Sequence, residues 1–131
     1  MALSVFELIR LLNRHADAAD HKVFVDDVET GTCIRASFRV VFSLRGVEVV
    51  LDYTYEENGT KTTFSSRPRP NQLKSGQGER ILVNGQDVDN DDVIVGSDSS
   101  AGPGSLYVEF KYRQSGTDHR VKFAAPATAF Q

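Results

Sequence analysis

Alternation of apolar and polar residues across two successive runs constrains this chain more than any other feature of its sequence. From Ile34 to Leu44 every second residue is apolar, and a second alternating run extends from Val47 to Tyr55. Side chains along a strand alternate between two faces, so each run predicts a strand with one buried face. Arg45-Gly46 predicts the turn between them. The apolar sets are Ile34, Ala36, Phe38, Val40, Phe42 and Leu44 on one strand, and Val47, Val49, Leu51, Tyr53 and Tyr55 on the other.

A two-residue loop at Arg45-Gly46 predicts one register for this hairpin. In that register apolar side chains meet each other and charges of opposite sign meet each other, whereas a slip by one residue would turn one apolar set outward. The predicted pairs are Leu44–Val47, Val40–Leu51 and Phe38–Tyr53 on the apolar face, and Ser43–Glu48, Arg39–Asp52 and Arg35–Glu56 on the polar face.

Two further hairpins are predicted at Asn58-Gly59 and Ser115-Gly116. Asn and Gly tolerate the positive φ of tight hairpin turns. One predicted contact is unfavourable, because Lys111 faces Arg120. The other pairs are Glu56–Lys61, Thr54–Thr63 and Tyr53–Phe64 in the hairpin at 58–59, and Arg113–Asp118, Tyr112–His119, Phe110–Val121, Glu109–Lys122 and Val108–Phe123 in the hairpin at 115–116.

One helix is predicted at the start of the chain. Ser4 and Glu7 have the spacing of a capping box. An apolar stripe follows at helical spacing, and it covers more than half of the helix circumference. We therefore expect an α+β fold, in which one N-terminal amphipathic helix packs on a curved, mainly antiparallel sheet of five to seven strands. The apolar residues of the helix are Val5, Phe6, Leu8, Ile9, Leu11 and Leu12, continued by Ala16 and Ala19.

Length and composition predict a single domain spanning residues 1–131. The net charge is −3, which disfavours a nucleic-acid binder, and Cys33 is the only cysteine, so no internal disulfide can form. Glu7 and Arg10 interrupt the one apolar run near the N-terminus, which is not typical of a signal peptide. We expect a location in the cytoplasm, or within a particle assembled there, and no contact with a membrane.

The stretch DVDNDD begins at Asp87 and resembles the start of a calcium loop. Asp87, Asp89, Asp91 and Asp98 fall at positions 1, 3, 5 and 12 of the loop found in EF-hands. Asp92 stands where that loop requires Gly, and the flanking residues predict strands. An acidic connection between strands is the main expectation, with calcium binding as the alternative and no cofactor otherwise expected.

A basic, proline-containing stretch follows the strand predicted at 60–66. Its cations, Arg67, Arg69, Lys74 and Arg80, lie among fourteen residues with one acid. They predict either an anion or partner-binding loop, or a stiff connector that leaves an edge strand.

No catalytic signature is present in the sequence. His15, His21 and His119 do not have zinc spacing, and no G-x-S-x-G, P-loop or dinucleotide motif occurs. We therefore expect a non-catalytic interaction or assembly protein that self-associates, whose partner is another protein or itself. The small-residue tail at 124–131 either frays or carries Phe130 as an anchor for a neighbour.

A small-ligand site is the alternative from another class of function. It would lie between the helix and the curved sheet and could support hydrolysis. Four side chains would form its polar tips on an apolar wall: Tyr53, Tyr55, Tyr112 and His119.

Overall fold

The computed structural model describes residues 4–14, 16–70, 73 and 81–130. The fold is mainly β, with two five-stranded antiparallel sheets and one short α-helix. The expectation of an antiparallel, hairpin-rich chain is confirmed. A single curved sheet covered by a helix is wrong, because the second sheet takes the place assigned to the helix.

The strands divide between the sheets in long contiguous blocks. The first sheet has the order β2-β1-β10-β9-β8, and the second has the order β3-β4-β5-β6-β7. The bounds are β1 Lys22–Val25, β2 Val28–Glu29, β3 Thr32–Ser43, β4 Gly46–Glu57, β5 Thr60–Ser66, β6 Leu82–Val83, β7 Gln86–Asp87, β8 Asp89–Asp98, β9 Ser105–Gln114 and β10 Thr117–Ala125.

Aromatic rings from the two sheets meet in one shared core. Phe64 of β5 stacks on Phe110 of β9 with ring centroids 4.8 Å apart. The ring centroids of Tyr53 of β4 and Phe123 of β10 are 5.0 Å apart. Since β4 and β5 belong to one sheet and β9 and β10 to the other, these contacts join the sheets face to face as a sandwich.

Helix α1, Val5–Leu12, begins as the capping box predicts. The backbone N–H of Glu7 donates to Ser4 Oγ over 3.1 Å. Leu8 and Leu12 are buried, and the helix contacts the edge strands β3 and β8, which belong to different sheets. It therefore borders the sandwich instead of covering a sheet. No helix of the described chain has both the length and the apolar character needed to span a membrane.

The hairpins at 58–59 and 115–116 have the predicted registers, pair by pair. Asn58, Gly59, Ser115 and Gly116 all have positive φ, as tight hairpin turns require. The unfavourable Lys111–Arg120 pair is also present. A fourth turn, at Asn84-Gly85, joins β6 to β7.

The first hairpin is present, but its register differs from the prediction by two residues. Phe42 faces Val47, and Phe38 faces Leu51, so the loop consists of Leu44 and Arg45. Only Gly46 has positive φ at this turn, which places the glycine after the two loop residues instead of between them. A shift by two keeps every side chain on its predicted face.

A bulge at Ile34 interrupts the alternation at the other end of β3. The register shifts between Cys33 and Arg35, so Cys33 is buried, and Ile34 is exposed instead of facing the core. Two further expectations about strands are wrong. Strand β5 is not an edge, because β6 pairs with Phe64 and Ser65, and the acidic connection at 87–98 is almost entirely strand.

Candidate functional site

The β3–β4 arm, residues 41–48, carries apolar side chains that the core does not cover. Phe42 is 81% exposed, Val47 is 37% exposed, and Leu44 projects fully into solvent. Phe42 and Val47 face each other on the side of the hairpin that is buried further along, at Phe38. The sequence predicts this face to be buried throughout. That prediction is wrong at the arm, because no described residue packs over it.

The β3–β4 arm also has an open backbone edge. The N–H of Val40 points away from β4 and donates to Asn13 Oδ1 over 3.2 Å. Because outward N–H groups recur at every second residue, the N–H and C=O of Phe42 lie on the same edge. Within the part of the chain that the structure describes, no backbone partner meets Phe42 at this edge. Asn13 thus covers the edge of β3 up to the arm and leaves the arm open.

The arm carries one positively and one negatively charged side chain beside its apolar centre. Arg45 lies at the turn and Glu48 on β4, and both border a hollow of about 490 Å³ together with Leu44. Phe6, on the helix, is a further exposed apolar side chain. Six large apolar side chains are exposed in the described chain, and half of them belong to the arm. The three in the arm are Phe42, Leu44 and Val47, and the other three are Phe6, Val28 and Ile34.

The basic stretch is described only in part. Arg67 and Arg69 are exposed, whereas Lys74 and Arg80 lie outside the described residues. Arg67 borders two adjoining hollows, the one beside the arm and a second of about 420 Å³ lined also by Ser66 and Leu82.

The four carboxylates of the calcium hypothesis do not converge. Asp89 and Asp98 begin and end β8, so extended backbone separates them by roughly 30 Å. Asp91 accepts a hydrogen bond from the N–H of Ile81 over 2.6 Å, and Asp98 forms an ion pair with Lys122 over 2.7 Å. No three potential ligands cluster as a metal site among the residues with described positions. The loop geometry that the hypothesis needs is replaced by a strand.

Three of the four side chains of the small-ligand hypothesis lie near one end of the sandwich. Tyr112 and His119 are in ring contact, with centroids 5.2 Å apart, and burial is the main cause that raises the pKa of Tyr112 to about 12. Tyr55 is near enough to contribute to that shift. Tyr53 does not join them at a surface, because its side chain lies in the aromatic core.

Asp26 completes this group and was not predicted from the sequence. Its Oδ2 lies 3.9 Å from Nδ1 of His119, and both residues border a hollow of about 490 Å³. Asp26 and Asp27 form a turn with positive φ between β1 and β2. Two adjacent aspartates inside an apolar run are a turn signal that could have located this residue.

Cys33 has the environment of a structural thiol. Its side chain is buried, its Sγ donates a hydrogen bond to the carbonyl oxygen of Arg35, and burial raises its pKa to about 11. The thiol is therefore protonated near neutral pH and unsuited to nucleophilic attack. Burial lowers the pKa of His21. His15 lies outside the described residues.

Charges on the outer faces are mostly compensated, although not always by the predicted partner. Arg113 pairs with Asp118 over 2.8 Å, as its register predicts. Arg35 pairs with Asp52 over 3.0 Å instead of with Glu56. Arg39 faces Val50, so the predicted Arg39–Asp52 pair is wrong. The two-residue shift of the hairpin accounts for both differences.

The C-terminal residues fold back on the domain. Phe130 is only 5% exposed, and its ring meets His21 edge to face with centroids 6.2 Å apart. Phe130 thus packs within its own chain, and the role of anchor for a neighbour stays a prediction.

Models of protein families, curated protein sequences and solved structures were each compared with this chain, and none of them matches it.

Proposed function

We propose that the protein is a non-catalytic assembly protein that self-associates through the β3–β4 arm. The observation that carries this proposal is the exposed apolar face of the arm, with Phe42, Leu44 and Val47 unpacked. Exposed apolar side chains concentrated on one projecting element are typical of interaction sites. The open backbone edge at Phe42 adds hydrogen-bonding groups that a strand from another chain would satisfy.

A second copy of this chain is the partner that the charges favour. Arg45 and Glu48 accompany the apolar centre of the arm, so the patch carries one charge of each sign. In an interface with twofold symmetry the same patch occurs on both partners. Arg45 of each copy then meets Glu48 of the other, while the apolar side chains meet across the axis.

The magnitude of the apolar gain predicts moderate affinity. Complete burial of one large apolar side chain contributes about 1.5–3 kcal/mol, so six such side chains from two arms contribute roughly 9–18 kcal/mol. Lost translational and rotational freedom costs about 4–15 kcal/mol. A net gain of about 6 kcal/mol lies within these bounds and corresponds to association at roughly 10–100 µM.

Sedimentation velocity over a range of protein concentrations tests the proposal. The unmodified protein is expected to shift from monomer to a larger species, and Phe42→Asp or Leu44→Asp is expected to remain monomeric because each places a charge in the apolar centre. Val28→Asp is the matched control, since Val28 is also exposed but begins β2, in the other sheet. A protein that is monomeric at about 100 µM, or equal loss of association in the control, would contradict the proposal.

A second candidate function is binding of a small ligand, with hydrolysis, at Tyr112 and His119. The observation that favours it is the Asp26 carboxylate 3.9 Å from the imidazole at the edge of a hollow. A carboxylate can orient an imidazole that acts as a general base. Hydrolysis of p-nitrophenyl acetate is then expected to fall about 100-fold or more in His119→Ala. Equal rates for the two proteins would remove this candidate.

A further inference from the structure

We infer that Asn58 is a site of spontaneous covalent modification, at which the side-chain amide is lost and aspartate or isoaspartate is formed. The residue lies in the β4–β5 turn, at the opposite end of β4 from the arm, and its reaction does not depend on self-association. Asn-Gly occurs twice in the sequence, at 58–59 and at 84–85. The second occurrence provides a comparison within the same chain.

The reaction is an intramolecular acyl transfer followed by hydrolysis. The backbone nitrogen of Gly59 attacks Cγ of Asn58, and the side-chain nitrogen leaves as ammonia with the proton of the Gly59 N–H. Water then opens the five-membered succinimide ring, at the side-chain carbonyl to give aspartate or at the backbone carbonyl to give isoaspartate. The first step requires Cγ and the backbone nitrogen to reach near contact, so its rate depends on how freely the asparagine side chain can rotate.

The Asn58 side chain is free to reach this geometry. Asn58 and Gly59 are both exposed at the tip of their hairpin. Apart from its chain neighbours, no atom lies within 4 Å of the position that a Cβ of Gly59 would occupy, so nothing shields its nitrogen. Within the described part of the chain, no hydrogen bond holds the side-chain amide of Asn58. Its rotation towards Gly59 therefore breaks no side-chain contact.

Asn84 has the same following residue but is held in place. Its φ is 53°, against 51° at Asn58, so the backbone does not distinguish the two turns. Oδ1 of Asn84 accepts a hydrogen bond from the N–H of Thr63 over 2.8 Å, and the N–H of Asn84 donates to the C=O of Thr63 over 2.8 Å. Rotation of Cγ towards Gly85 must break the first of these bonds, and the second restrains the backbone. We therefore expect Asn84 to be protected.

Isoaspartate at position 58 is expected to disrupt the β4–β5 hairpin. Glu57 pairs with Thr60 across the turn, so the loop has only two residues. Isoaspartate adds one methylene group to the backbone of this loop, which the geometry of a two-residue turn does not accommodate. The new carboxylate also follows Glu57 directly, and like charges repel. The amides of Glu57 and Thr60 should then exchange with solvent faster.

Ageing of the folded protein at mildly alkaline pH, followed by mass spectrometry of the two Asn-Gly peptides, tests the inference. Asn58 is expected to lose its amide about tenfold or more faster than Asn84, because the contacts of Asn84 with Thr63 must first be lost. In concentrated urea, where those contacts are absent, the two residues should react at comparable rates. Asn58→Gln, whose folded state is verified by thermal unfolding, should abolish the change at 58 and leave the rate at Asn84 unaltered.

Three results would overturn the assignment of the site: no loss of the amide at Asn58 in the folded protein, equal rates at Asn58 and Asn84 there, or a difference that is just as large in urea. Chromatography separates the isoaspartate form for hydrogen exchange followed by NMR. Exchange at Glu57 and Thr60 that equals that of the unmodified protein would overturn the expected effect on the hairpin.

Discussion

Asp98 of β8 forms side-chain hydrogen bonds to β9 and β10, and so connects three strands of the first sheet. Its Oδ2 accepts a hydrogen bond from Lys122 Nζ over 2.7 Å, and its Oδ1 accepts from the hydroxyls of Ser100 and Ser105 over 2.7 and 3.0 Å. Lys122 also lies over the ring of Tyr107, 4.6 Å from its centroid. Burial opposes ionisation of Asp98, but these donors outweigh it and lower its pKa to about 2. Asp98, a ligand in the alternative calcium hypothesis, thus has a lysine as its counterion.

This lowered pKa predicts an acid-sensitive contribution of Asp98 to stability. The unfolded chain titrates at about 3.9, so the stabilisation is present above that pH and is lost as the pH falls towards 2. Asp98→Asn is expected to lower the free energy of unfolding by about 1–2 kcal/mol at neutral pH, a figure reduced for partial exposure to solvent. Urea unfolding between pH 2 and pH 7 measures this difference, which should vanish near pH 2.

Asp118→Asn is the matched control for that experiment. It removes the same charge from an ion pair with Arg113 that is exposed to solvent, where pairing contributes little. The role given to Asp98 would be contradicted if Asp98→Asn lowers the free energy of unfolding no more than Asp118→Asn does, or if its effect persists unchanged at pH 2.

At the scale of single elements, the hairpins show how far the sequence determines the fold. The turns at 58–59 and 115–116 were predicted with their registers. Asn58 and Gly59 both belong to types that tolerate positive φ, whereas at 115–116 only Gly116 does, and there the charged and apolar pairs of the flanking strands indicated the register. The turn at 45–46 was displaced because a lone Gly46 fits more than one kind of turn. Alternation could not detect the error, since a shift by two leaves both faces unchanged.

Asn13 is expected to protect the edge of β3 next to the arm. Its side chain accepts a hydrogen bond from the N–H of Val40 over 3.2 Å, which covers a backbone group that no strand pairs. In Asn13→Ala the amide of Val40 should exchange with solvent faster, and the free energy of unfolding should fall by about 1 kcal/mol. Hydrogen exchange followed by NMR measures the first effect and urea unfolding the second. Arg14→Ala, a change at the adjacent exposed residue, should alter neither, and unchanged exchange at Val40 in Asn13→Ala would show that this contact is unimportant.

At the scale of the whole molecule, the sequence left undetermined what covers the buried face of each strand. Alternation shows that Phe64 and Phe110 point inward, but not that they point at each other from different sheets. The wide apolar stripe of the helix favoured a helix on a sheet, yet Phe6 remains exposed. The sequence also did not indicate that the arm is exposed, because the alternation of apolar and polar residues continues unchanged beyond the part of the hairpin that the core covers.

Substitution of Phe130 tests whether the C-terminal residues stabilise the domain or bind a neighbouring molecule. Its ring is buried and packs against His21. Phe130→Ala is therefore expected to lower the free energy of unfolding by about 3–5 kcal/mol, as for other truncations of buried Phe to Ala. Sedimentation of the same variant should show unchanged association at a concentration where it is folded. Loss of association with full stability would instead support an anchoring role for the tail.

Self-association through the arm is tested on the molecule as a whole by hydrogen–deuterium exchange at high and low protein concentration. Peptides that cover residues 41–48 should exchange more slowly at about 100 µM than at about 1 µM, because a second copy covers the edge and the apolar face of the arm. Peptides that cover residues 26–31, which include the β1–β2 turn and β2, should exchange equally at both concentrations. Protection of residues 41–48 that does not change with concentration, or a change confined to other segments, would contradict self-association through the arm.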